Sequence, residues 1–235
     1  MQKGELAVHR FKSNLLESNP LGDPHIRDLA VYLPPGYQPD SKYPAVFCLI
    51  GYGGAGRSFL NYDPFMEGLD ARMDRLVNEG KCGPMILVMP DCFTKFGGNQ
   101  YINSQATGRY EDYIVEELVP FVKSSYNISS IAAMGHSSGG YGALSLGMRH
   151  PDVFSAVASH AGDAAFEYCY LPDFPKALAV FRQVGGPKKW FEEFLQKDNK
   201  YQNRDDMVAL SILGMAAHYS PKPDGDVDFP FDLDT

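Results

Sequence analysis

No stretch of this chain approaches the ~20 consecutive apolar residues of a membrane span. The amino-terminal Met1-Gln2-Lys3-Gly4-Glu5-Leu6 also lacks the apolar core of a secretory signal. These two absences predict a cytoplasmic protein. Positive charge is scarce as well: 21 Lys and Arg stand against 29 Asp and Glu, a net charge of −8 with histidine neutral. No basic cluster offsets that background, so neither nucleic acid nor an anionic membrane is an expected partner. Only four cysteines occur, Cys48, Cys82, Cys92 and Cys169, and none is spaced as a zinc or redox pair. Free thiols are predicted. The six histidines are scattered, and no metal or cofactor is expected. There is no internal repeat and no low-complexity block. A small-molecule substrate is the partner class left standing.

What is present is enough apolar material, 44% of 235 residues, for a sizeable core in one domain. Residues 6–12 and 28–33 read as strands, the second stopped by Pro34-Pro35-Gly36, and together they suit an antiparallel edge. Residues 44–50 are continuously apolar, as in a central strand covered on both faces. A helix is predicted from Pro64 to Asn78, with Phe65, Leu69, Met73, Leu76 and Val77 at helical spacing, and a strand from Met85 to Met89. Cys92 to Arg109 form a long loop rich in glycine, aromatics and amides, placed where a site wall is often built. Another helix runs from Tyr110 to Ser125, with Glu111 and Asp112 in its first turn, where negative charge favours the helix dipole. A strand at Ile131, a helix to His150 and a strand from Val153 to Ser159 follow. This alternation predicts an α/β fold with a mostly parallel sheet. Residues 1–164 make the sheet core. Residues 165–220 switch to helical spacing and read as a helical cap after the sixth strand, and 221–235 read as an irregular tail.

The stretch that carries chemistry is Gly135-His136-Ser137-Ser138-Gly139, between an apolar strand and a small-residue helix. In a Gly-x-Ser-x-Gly turn the backbone bends so sharply that only glycine is tolerated two residues either side of the serine. The hydroxyl is then pushed out at the carboxyl edge of the sheet. Ser137 is therefore the candidate nucleophile. The Ser138 N–H, at the amino terminus of the helix, is placed to bind an oxyanion.

These residues, with Leu33-Pro34-Pro35-Gly36-Tyr37, Leu49-Ile50-Gly51-Tyr52-Gly53, Gly108-Arg109-Tyr110-Glu111-Asp112-Tyr113 and His150-Pro151-Asp152-Val153-Phe154, resemble the "Putative esterase" family. That branch of the α/β-hydrolases includes esterase D, feruloyl esterases and mycolyltransferases. The resemblance covers most of residues 28–163. It implies an α/β-hydrolase fold, Ser137 as nucleophile, and an oxyanion hole formed by the Tyr52 and Ser138 N–H groups, with Gly53 a close second candidate.

In the family the triad runs Ser, then Asp, then His, after the seventh and eighth strands. No segment after Ser159 reads as a buried strand, so the last two strands are expected to be missing and the triad incomplete. His160 and Asp163, past the end of the sixth strand, are the nearest substitutes by topology, although a rim or capping role suits them better. His218 lies in the cap, His136 flanks the nucleophile, and His150 is most simply a dipole partner at a helix end. The strand at 153–159 then becomes an open edge, which predicts a homo-oligomer or a complementing carboxyl-terminal fragment. The function expected is a serine carboxylesterase or acyl hydrolase working on a small ester or thioester, weak when this chain stands alone. The alternatives are an acyltransferase and a non-catalytic binding protein on a hydrolase scaffold. Phe93, Phe96, Tyr101, Tyr168, Tyr170 and Phe174 either line a pocket or belong to the core.

Overall fold

The structure is a computed structural model and describes residues 2–200 and 203–229. Its main strands are β1 (Glu5–Lys12), β2 (Ile26–Leu33), β3 (Tyr43–Leu49) and β4 (Ile86–Pro90). After a two-residue-per-strand hairpin, β5 (Asn103–Ser104) and β6 (Gly108–Arg109), come β7 (Ile128–His136) and β8 (Ala156–His160). The six long strands form one sheet in the order β1-β2-β4-β3-β7-β8. β2 pairs antiparallel with both its neighbours, while β4, β3, β7 and β8 run parallel. The α/β expectation holds, including its antiparallel edge.

The alternation of side chains along β2 shows how the sheet is covered. Leu29, Val31 and Leu33 join Phe47, Val88, Tyr113 and Leu118 in the core on one face. Ala30 and Tyr32 turn to the other face, with Cys48, Met89 and Met73 of helix α1 (Leu69–Asn78). Both faces of β4 are buried, as its unbroken apolar run requires.

Several boundaries move. The first helix starts at Leu69 rather than at Pro64, and Phe65 is 95% exposed. The apolar spacing there is accidental, because residues 64–68 turn around the Asp63 carboxylate, which accepts from the Phe65 and Met66 N–H groups. The helix predicted at 110–125 is continuous but uneven: α2 (Tyr110–Asp112), a π-helical turn (Tyr113–Leu118) and α3 (Val119–Ser125). Pro120 explains the widened turn, since it lacks an N–H and its ring would press on the preceding turn. Helix α4 (Ser138–Arg149) follows β7, and the last strand begins only at Ala156. Residues 151–154 turn back first, the Phe154 N–H donating to the His150 carbonyl at 3.0 Å.

The cap is helical, as expected: α5 (Phe166–Cys169), α6 (Phe174–Val184), α7 (Pro187–Leu195) and α8 (Arg204–Tyr219). Phe181, Trp190, Phe194 and Leu210 build its core, with Phe96 from the long loop. Phe96 and Tyr101 are buried, so the core reading is the correct one for them, whereas Tyr168 is 85% exposed. The tail forms a tight turn through 229, and its last six residues, 230–235, lie outside the described ones.

Candidate active site

Ser137 follows directly on β7 and precedes α4, with φ 55° and ψ −123°. A non-glycine residue in this region is strained by about 1–3 kcal/mol and is held there by its surroundings. The glycines beside it show what holds it. A Cβ at Gly139 would overlap the Leu49 carbonyl oxygen, and one at Gly135 would overlap the Gly139 carbonyl. The strand end, the turn and the first helical turn are packed backbone on backbone.

The Gly51–Gly54 turn after β3 comes alongside. A Cβ at Gly51 would stand 3.4 Å from the Ser137 Cβ, so the Tyr52 peptide is brought to the elbow. Neither the Tyr52 N–H nor the Ser138 N–H has an acceptor among the described residues. Gly53, the second oxyanion candidate, donates its N–H to the Gly97 carbonyl at 2.8 Å and is occupied. The Tyr52 ring is wedged where side chains at Gly98 or Gly214 would overlap it, and its hydroxyl donates to the Phe96 carbonyl. Burial pushes that hydroxyl's pKa well above the ordinary tyrosine range, so it remains a donor.

The Ser137 hydroxyl donates to a carboxylate, Asp163 Oδ1, at 3.1 Å. Asp163 Oδ2 accepts from Ser138 Oγ at 2.8 Å and from the Tyr170 hydroxyl at 3.1 Å. The loop that carries Asp163 can reach α4 because Gly140 and Gly162 meet with no side chain between them. Gln100, fully buried, donates from Nε2 to Ser138 Oγ at 2.8 Å and accepts from the Tyr219 hydroxyl at 2.8 Å. Tyr170 and Tyr219 both have raised pKa values, through burial first; the negative charge of Asp163 adds to the shift. The result is one chain of donors and acceptors from the cap to the elbow.

The histidines go elsewhere. His136 and His160, on paired positions of β7 and β8, lie with ring centroids 5.2 Å apart and planes tilted by 53°, and line a groove of about 720 Å³ with Phe59, Met66 and Leu69. Ser137 does not line that groove. His150 bonds Glu111 Oε1 at 2.8 Å, where Arg149 also pairs, so Glu111 ties α2 to the end of α4 in addition to its place in a first turn. His218 is buried, its Nδ1 2.6 Å from the Gly214 carbonyl and its Nε2 without a partner. Burial pushes its pKa down to about 4. No imidazole is hydrogen-bonded to Ser137 among the described residues. These residues also contain no cluster of three or more His, Cys, Asp or Glu suited to a metal, and no helix long and apolar enough to cross a membrane.

A parallel-sheet core with a strained serine between strand and helix defines the α/β-hydrolase fold. Comparison with known proteins narrows this. A family model described as "Putative esterase" matches residues 24–214, and the chain belongs to that family. An esterase of Mycobacterium tuberculosis (strain ATCC 25618 / H37Rv) is 28% identical, the match covering 93% of this chain and 47% of that protein. The chain thus spans about half the length of the curated relative it matches. A solved ferulic acid esterase superposes with a TM-score of 0.59 at 25% identity, over 69% of this chain and 61% of that one. An S-formylglutathione hydrolase from Agrobacterium tumefaciens shares the fold, with a TM-score of 0.53 at 18% identity, over 91% of this chain and 73% of that one.

Proposed function

We propose that this chain carries the nucleophile of a serine carboxylesterase acting on a small ester or thioester. The observation that carries the reading is the strained Ser137, its hydroxyl at the amino terminus of α4 beside two N–H groups without acceptors. Ser137 Oγ attacks the carbonyl carbon, and the developing oxyanion is held by the Tyr52 and Ser138 N–H groups. The Oγ proton passes to a base and then to the leaving oxygen or sulfur as its bond to the carbonyl carbon breaks. Water frees the acyl group by the same steps in reverse order. The likeness to a ferulic acid esterase supports an ester substrate.

The base is an imidazole from outside the described residues. A carboxylate is a weaker base than an imidazole at neutral pH, which leaves Asp163 a poor substitute. All five residues of β8 are exposed and form the open edge of the sheet. A second copy or a complementing carboxyl-terminal fragment pairing there would bring further groups to the elbow.

Hydrolysis of short-chain aryl esters and a thioester, wild type against Ser137→Ala, tests the reading. Turnover that depends on Ser137 supports it, and equal turnover contradicts it. The absence of an imidazole at Ser137 among the described residues favours a second reading, a binding protein. Ligand binding unaffected by Ser137→Ala, with no acyl adduct, would establish that one. An acyltransferase would differ only in the acceptor, and added alcohols that divert the acyl group from water would reveal it.

A further inference from the structure

Asp163 has a bonding pattern that acyl transfer must disturb. Its Oδ2 is satisfied by two hydroxyls, those of Ser138 and Tyr170, which the reaction leaves in place. Its Oδ1 depends on the Ser137 hydroxyl. That is the proton the reaction consumes. When the bond from Oγ to the acyl carbon forms, the proton leaves, and Oγ presents only lone pairs to a carboxylate oxygen about 3 Å away. A half-buried carboxylate then loses a donor and gains a repulsive neighbour. All its partners among the described residues are hydroxyls, and none is a cation that would offset the charge. Phe166 and Tyr219 pack against the Tyr170 ring at 5.2 and 6.4 Å and hold its hydroxyl on the carboxylate.

A substrate can repair this deficit. A hydroxyl or ammonium close to the scissile carbonyl would donate to Oδ1 in place of Ser137, whereas a carboxylate at the same position would meet like charge. We propose that Asp163 is a specificity-determining residue of the Ser137 site. It selects esters that carry a hydroxyl or ammonium within two or three bonds of the scissile carbonyl, and it rejects those with a carboxylate there. The proposal rests on the reading of Ser137 as nucleophile.

The test uses four fluorophosphonates that differ only in the end of a short alkyl arm: hydroxyl, ammonium, methyl or carboxylate. Each reacts in a single turnover, in which the Oγ–P bond forms, the P–F bond breaks, and fluoride and the Oγ proton leave. With the full chain, the hydroxyl and ammonium arms are expected to label Ser137 about tenfold or more faster than the carboxylate arm, with methyl between. Asp163→Asn, which keeps the shape and removes the charge, is expected to bring the four rates within about threefold. Tyr170→Phe keeps the charge and should keep the order. Equal wild-type rates for the carboxylate and hydroxyl arms, or an order unchanged in Asp163→Asn, overturn the assignment and leave Ser137 as nucleophile. If Asp163→Asn does not fold, the wild-type order alone decides. No adduct at Ser137 with any arm overturns the nucleophile reading, and this inference falls with it.

Discussion

At Ser137 the backbone strain is maintained by two neighbours that have no side chain. Gly139→Ala would push a methyl into the Leu49 carbonyl, and the expected cost is about 1–3 kcal/mol of stability, measured by urea unfolding, together with loss of Ser137 reactivity. His218 makes a different prediction at this scale. Its pKa, about 4 when folded, lies below the ordinary 6.5, so the unfolded chain binds the proton more readily between those values. Stability contributed by the neutral ring is complete above about pH 6.5 and is lost as pH falls towards 4, by up to about 3 kcal/mol. Urea midpoints at pH 7.5 and 5 should differ more in the wild-type protein than in His218→Phe. The serine turn was legible in the sequence because its glycine requirement is local. Topology placed Asp163 at the same sheet edge, but the contact itself was not legible, because it joins residues 26 positions apart. It depends on a loop crossing α4 where Gly140 meets Gly162, and nothing in the spacing around Asp163 marks that crossing.

Among the elements, α8 is the one whose task could not be read from its periodicity. Apolar spacing identified a buried helix, but its Gly214 against Tyr52, the Tyr219 hydroxyl on Gln100 and the Met215 sulfur near the same amide make it the support of the Gly51–Gly54 turn. Gly214→Ala should displace the Tyr52 ring and with it the Tyr52 N–H. The expected result is a fall in kcat of about 10²-fold with KM little changed, because the interaction is made with the transition state. Tyr52→Phe keeps the ring and loses one hydrogen bond, and a smaller effect, about 1 kcal/mol in stability, is expected. Helix α1 shows the opposite case. Apolar spacing extended it back to Pro64, where the Asp63 turn prevents helix and leaves Phe65 in solvent.

Over the whole molecule the mostly parallel sheet and its antiparallel edge followed from the alternation of strand and helix, whereas the insertion of β4 between β2 and β3 did not. We propose that sheet core and cap unfold together. Phe96 packs into the cap cluster while its loop continues into Tyr101 of the sheet core, so a single coincident transition by fluorescence and circular dichroism is expected. The open β8 edge, with Val157 45% exposed, belongs to the same scale. Light scattering should find a species larger than one 235-residue chain; monomers with no second polypeptide would remove pairing at that edge from the account.

The central claim, that Ser137 is a working nucleophile, is tested most directly by the intact mass of the protein after brief exposure to one fluorophosphonate, alongside Ser137→Ala. The account predicts a single phosphonyl adduct on the wild-type chain and none on the variant. A folded wild-type protein that takes up no adduct, or a variant labelled equally, would contradict it.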